Sequence, residues 1–140
     1  MAFVYLDIEG NEHDKKDWDL HHAIPRCRAK SNKARNFINQ SGLVLPILRI
    51  YHNQGKEALH SNVGLSPMPS VMLQHRINQF TEELHEPNVY DRFISIAGFI
   101  GDLAVTTGNS NIREQCERIS NNFALQAPFI LLGQIERVEV

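Results

Sequence analysis

A chain of 140 residues with 42% apolar and 21% charged residues carries enough apolar sequence for about one globular domain. Its net charge of −2 excludes binding driven by bulk charge, and no apolar run reaches the roughly 20 residues of a membrane span. The two cysteines, Cys27 and Cys116, exclude a disulfide framework and a Cys-x-x-Cys zinc ribbon. With no basic region followed by an apolar core near Met1, the expectation is a cytoplasmic protein with reduced thiols and no membrane partner.

In chain order, Phe3 to Ile8 is β-prone and Glu9-Gly10-Asn11-Glu12 is a turn signal, which predicts an N-terminal hairpin or extended arm. Trp18 anchors a strand over 18–25 that Pro25 stops. A short helix is predicted over 28–40, closed by Ser41-Gly42. The apolar run 43–51 reads as a short strand or extended segment, not a central strand, because Pro46 cannot donate to a ladder. A turn follows near Asn53-Gln54-Gly55, then a helical turn carrying Ala58, Leu59, His60 and Val63. Gly64 to Ser70, with two prolines, is the strongest internal boundary.

Beyond it the pattern is helical. Val71, Leu73, Ile77, Phe80 and Leu84 make one apolar face, and 89–105 makes a second, more apolar helix. Gly98 and Gly101 on that helix predict close approach of another helix, within the chain or across a two-fold axis as a homodimer. Ser110 is read as the N-cap of a helix over 111–125, and 128–140 as a last, fraying helix. The fold class is α+β, a small two-stranded module over 1–66 followed by a helical unit over 67–140, with one compact domain as the other possibility.

Charge separates the halves. Residues 20–63 hold seven Lys/Arg against one acid, Glu57, whereas 71–140 hold five basic and nine acidic residues. The basic window coincides with two histidine groups: His21-His22 at the end of the first strand, then His52 and His60. Neighbours on a strand point to opposite faces, so His21 and His22 are suited to different tasks. His21, His52 and His60 could supply the ligands of a hydrolytic metal centre with an open position. His22 could act as the base that takes a proton from water. Arg26, Arg28, Lys30 and Lys33 could hold a phosphodiester backbone.

The segment His21-His22-Ala23-Ile24-Pro25-Arg26 resembles the first strand of the HNH, or ββα-metal, nuclease superfamily, whose pattern is Asp/His-His-x-x-Pro. The stretch Tyr51-His52-Asn53-Gln54-Gly55-Lys56 through Ala58-Leu59-His60 is similar to that superfamily's third element. The match covers about residues 18–65 and is nearest to the members found in phages and bacterial toxins. It implies a ββα-metal module, His22 as general base, and His21, His52 and His60 as ligands of one divalent ion, whether Mg²⁺, Mn²⁺, Zn²⁺ or Ni²⁺. It also implies an asparagine that orients the base, for which Asn39, Asn36 and Asn53 are candidates. Two features depart from the pattern. Arg26-Cys27-Arg28 stands where the family has Gly-Gly, and His52 and His60 are eight residues apart, more than one helical turn, so either a loop intervenes or one of them is not a ligand.

The implied function is a metal-dependent endonuclease that hydrolyses phosphodiester bonds of nucleic acid, DNA above all, encoded by a phage or mobile element. The alternatives are a non-catalytic protein that uses the fold to bind a partner protein or nucleic acid, and a structural zinc module.

Overall fold

The computed structural model describes residues 2–140. The first strand, β1 (Phe3–Leu6), leads into a turn in which the Asp7 carboxylate accepts from the Glu9 and Asn11 amides, both at 2.9 Å. Gly10 takes φ +83° there, a left-handed conformation that glycine adopts without strain. The turn forms as the sequence predicts, but only a single bridge, Leu6 to Glu12, closes it. The main partner of β1 is instead the C-terminal strand β4 (Glu136–Glu139), antiparallel, with Phe3 opposite Glu139 and Leu6 opposite Glu136.

The second sheet carries the histidines. Strand β2 (Trp18–His22) pairs antiparallel with β3 (Val44–Leu48), placing Trp18 opposite Leu48 and His22 opposite Val44. Pro46 lies opposite Leu20, in a sheet of two strands where each strand has a free edge for a missing N–H. The connection holds a 3₁₀ turn at Arg26–Arg28 and helix α1 (Asn32–Ile38). The Ser31 hydroxyl caps α1 by accepting from the Ala34 amide at 3.1 Å. After β3 the chain enters two short helices, α2 (Arg49–His52) and α3 (Leu59–Asn62).

Three longer helices complete the molecule: α4 (Val71–Glu82), α5 (Val89–Thr106) and α6 (Ser110–Leu132). Only three residues separate α5 from α6, so the two pack as an antiparallel pair. Their fully buried Phe93 and Phe123 rings lie 5.1 Å apart. The same core takes in Ile24, Phe37, Leu43, Leu45 and Ile47, so it is continuous across the 66/67 point. A smaller cluster of Trp18, Leu48 and Ile135, with Tyr5 against it, joins the two sheets.

Three expectations for the helical half are corrected. The N-cap of α6 is Asn109, not Ser110, its side chain accepting from the Ile112 amide at 3.0 Å. The helix does not stop near 125 but continues through Pro128 to Leu132, and 136–139 is strand, not helix. An interior proline opposes a helix by about 3 kcal/mol. Burial of Phe123 and Ile130 on either side stabilises it by about 1.5–3 kcal/mol each, enough together to offset that. Finally, Gly98 and Gly101 do not pack closely within the chain: among the described residues a Cβ added at either would meet nothing within 4 Å, so only the alternative across a two-fold axis stands. With the exposed Ile94 and Val105 they occupy an outward face of α5.

The close glycine contacts lie elsewhere, at Gly42, where a Cβ would fall 2.8 Å from Ile96 Cδ1 of α5, and at Gly133. Gly133, at the end of α6, accepts from the Leu48 amide at 2.8 Å, and a Cβ there would fall 2.5 Å from Ile47 Cγ1 and 3.0 Å from Tyr51 Cβ. Gly133→Ala should therefore pry α6 from the end of β3 and destabilise the fold by about 1–3 kcal/mol, the usual size of overpacking. Urea unfolding would measure it, and an unchanged midpoint would show that the contact yields freely.

Candidate metal centre

Three elements deliver the histidines. His21 is the next-to-last residue of β2, on the same strand face as Asp19, two residues earlier. His52 is the last residue of α2, one turn after β3. His60 stands on α3, and the residues between the two later histidines form a loop that includes Gly55 at φ +92°. The eight-residue spacing is thus spanned by a loop between two short helices, and both side chains still reach one place.

One ring nitrogen from each of His21, His52 and His60 lies within 4.8 Å of the other two, close enough to hold a metal ion. The ring centroids are 5.1 Å apart for His21 and His52, 5.7 Å for His21 and His60, and 4.5 Å for His52 and His60. His52 Nε2 and His60 Nε2 are 2.9 Å apart, a separation that needs a proton or a cation between the two lone pairs. His21 and His52 are buried, whereas His60 is exposed, so the cluster opens to solvent on the α3 side.

Each of the two buried histidines has a second partner. His21 Nε2 is 2.7 Å from Gln126 Oε1 of α6. His52 Nδ1 is 3.4 Å from Asp19 Oδ2, while Asp19 Oδ1 accepts from Arg49 Nε at 2.9 Å. Burial opposes the Asp19 charge, but the Arg49 and His52 contacts prevail and hold this carboxyl below its usual range. Asp19 is therefore an anion that accepts the His52 Nδ1 proton and leaves Nε2 with its lone pair.

Burial also favours the neutral form of the two buried imidazoles, His21 and His52. It pushes His21 down to about 3, with the charges of His52, His60 and His22 acting in the same direction. His52 is lowered chiefly by burial as well, against the pull of Asp19. A neutral imidazole is the form that binds metal. His21 Nδ1 is buried and has no hydrogen-bond partner. An acceptor so left is unfavourable by about 1–3 kcal/mol, and a bound cation would remove that penalty. The orphaned nitrogen and the all-imidazole donor set fit a divalent metal ion.

His22 stands beside this cluster. It shares with His21, His60 and Gln126 a shallow hollow also lined by Pro25 and Ser66. Its Nε2 is 2.8 Å from Asn39 Oδ1, at the C-terminal cap of α1. Of the three candidate asparagines, Asn39 meets His22. Asn36 lines a groove between α1 and α4 with Lys33 and His75, and Asn53 caps α2. Arg26, Arg28 and Lys30 are exposed on the segment that leaves the histidine strand, and neither they nor Lys33 enter an ion pair among the described residues.

Asp19 and Gln126 are the site residues that motif reading misses. Asp19 was legible as the same-face neighbour of His21 on a strand. Gln126 carries a fainter sign: it is the one polar side chain on the buried face of α6 formed by Ile112, Cys116, Ile119, Phe123 and Ile130. No helix is long and apolar enough to cross a membrane among the described residues. Compared with known protein families, curated proteins and solved structures, the chain matches none.

Proposed function

We propose that this chain is a metal-dependent phosphodiesterase of the HNH, ββα-metal kind that cleaves nucleic acid. The observation that carries the reading is the convergence of His21, His52 and His60, with His22 lining the same hollow as His21 and His60. A two-stranded hairpin whose first strand ends in His-His, followed by short helices bearing the remaining histidines, is the layout that the resemblance implies. Three imidazoles with no carboxylate among the ligands suit Zn²⁺ or Ni²⁺ better than Mg²⁺, which prefers oxygen donors.

A bound divalent ion would polarise the scissile phosphate and stabilise the charge on the departing 3′ oxygen. The chain's own residues do the rest. His22 donates its Nε2 proton to Asn39 Oδ1, which holds the ring and leaves Nδ1 to accept a proton. Water attacks phosphorus, its proton passes to His22 Nδ1, and the 3′ oxygen leaves and takes a proton from solvent. Arg26, Arg28 and Lys30 contact phosphates on either side, with Lys33 toward the groove beside α4. A second copy of the chain would meet the outward face of α5 at Gly98 and Gly101 to form a homodimer.

Incubation of plasmid DNA or RNA with the protein and Zn²⁺, Ni²⁺, Mn²⁺ or Mg²⁺ should give cleavage that a chelator stops. No cleavage of either polymer by protein carrying one bound metal would sink the nuclease reading in favour of a structural metal module. Arg28→Ala should weaken nucleic-acid binding regardless of sequence and lower the slope of log affinity against log salt by about one. Filter binding over a salt series reads that slope, and an unchanged slope would remove Arg28 from the phosphate path.

A further inference from the structure

Gln126 is 2% exposed, sits on α6, and reaches His21 across 105 residues of sequence. Its amide cannot turn around. Gln126 Nε2 donates to the Ala23 carbonyl at 2.9 Å and also to Asn122 Oδ1. Asn122 is held the same way round, because its own Nδ2 donates to the Gly64 carbonyl at 2.8 Å. Reversing Gln126 would set its oxygen against two acceptors and its amino group against His21. Gln126 Oε1 therefore faces His21 Nε2 as an acceptor, and that nitrogen carries the proton.

A neutral imidazole has one proton. With it on Nε2, the other nitrogen, Nδ1, is bare, and Nδ1 is the buried atom without a partner. Within the metal-centre reading above, we propose that Gln126 is a positioning residue that fixes His21 in the tautomer presenting Nδ1 as a metal ligand. The chain Gly64–Asn122–Gln126–His21 makes α6 part of the centre. The hairpin and its short helices place the ligands, and the C-terminal half selects which nitrogen of the buried one is free. Asp19 does the same for His52 with a charged acceptor, so the two buried ligands are oriented by one neutral and one anionic partner.

The experiment has two arms. Long-range ¹H–¹⁵N spectra of the metal-free protein, labelled at histidine, report which nitrogen of His21 is protonated near neutral pH. The wild type and Gln126→Glu, which keeps an acceptor, should show the Nε2–H tautomer. Gln126→Leu should lose it, and Asn122→Ala, at a half-buried helix position, should show a mixture. Zn²⁺ titration against a competing chelator is the second arm. Affinity should fall by about 10- to 100-fold in Gln126→Leu and by less in Asn122→Ala and in Gln126→Glu, which keeps the acceptor toward His21 but loses the donor toward Ala23 and Asn122. An Nδ1–H tautomer in the wild type, or an undisturbed Nε2–H tautomer in both Gln126→Leu and Asn122→Ala, would overturn the proposal. Equal losses of affinity in Gln126→Glu and Gln126→Leu would do so too. Should the wild type take up no metal, the nuclease reading fails, while the spectra still decide whether Gln126 sets the tautomer.

Discussion

His22→Ala should leave metal affinity near that of the wild type and lower the rate of phosphodiester cleavage by about 10²- to 10⁴-fold. The division follows from placement. His22 spends one nitrogen on Asn39 and takes no part in the triangle of ring nitrogens, whereas His21 is one of its corners. His21→Ala and His52→Ala should therefore fail differently, with weaker metal binding and activity that returns in part when metal is raised. Asn39→Ala should fall between wild type and His22→Ala, since it loosens the base without removing it, and its metal affinity should not move. Calorimetric metal titration beside cleavage rates separates these cases. Equal loss of metal binding in His21→Ala and His22→Ala would overturn the division of roles, and unchanged cleavage in both would remove the site altogether.

The parts of this arrangement that sequence made legible are local ones. The strand ending in His21-His22, the stop at Pro25, the helix after it and the second histidine group are all written within a few residues of themselves. Trp18 as the anchor of the histidine strand is of the same kind, and its ring does sit in the cluster that joins the sheets, 5.0 Å from Tyr5. What stayed hidden depends on distant partners. The strand at 136–139, Glu-Arg-Val-Glu, holds a single apolar residue, too little pattern to distinguish it from a fraying helix, and it is strand because β1, 130 or more residues away, pairs with it. Local rules end the last helix before Pro128, but the side chains buried on either side of the proline carry it on. Gln126 acquires a role only once α6 lies beside Ala23 and His21. Gly98 and Gly101 show the converse: small residues permit close approach, but only a partner element decides whether it occurs, and within this chain the tight glycine contacts are at Gly42 and Gly133.

The metal-free protein should lose stability steeply as pH falls through the range where histidine ordinarily titrates. His21 is 3% exposed, and burial pulls its pKa from 6.5 down to about 3. Between those values the unfolded chain binds a proton at His21 and the folded chain does not, so stability falls with falling pH. The contribution is intact above about pH 6.5 and falls away at up to about 1.4 kcal/mol per pH unit, reaching about 5 kcal/mol near pH 3. A domain's whole stability is about 5–15 kcal/mol, so this one side chain can bring acid unfolding within reach. His52, also lowered by burial, acts in the same direction. His13 acts in the opposite one: its bond to Asp7 raises its pKa, a contribution present at low pH and lost as pH rises through the raised value. Solvent reaches that pair, so it is screened and does not offset His21. Urea midpoints in the presence of a chelator, taken from neutral pH downward, measure the slope. His21→Leu should flatten it, even though the absolute stability of that variant also reflects the acceptor it leaves unpaired on Gln126. Parallel slopes for the wild type and His21→Leu would show that His21 is protonated in the folded protein, and with it that burial does not keep this ligand neutral.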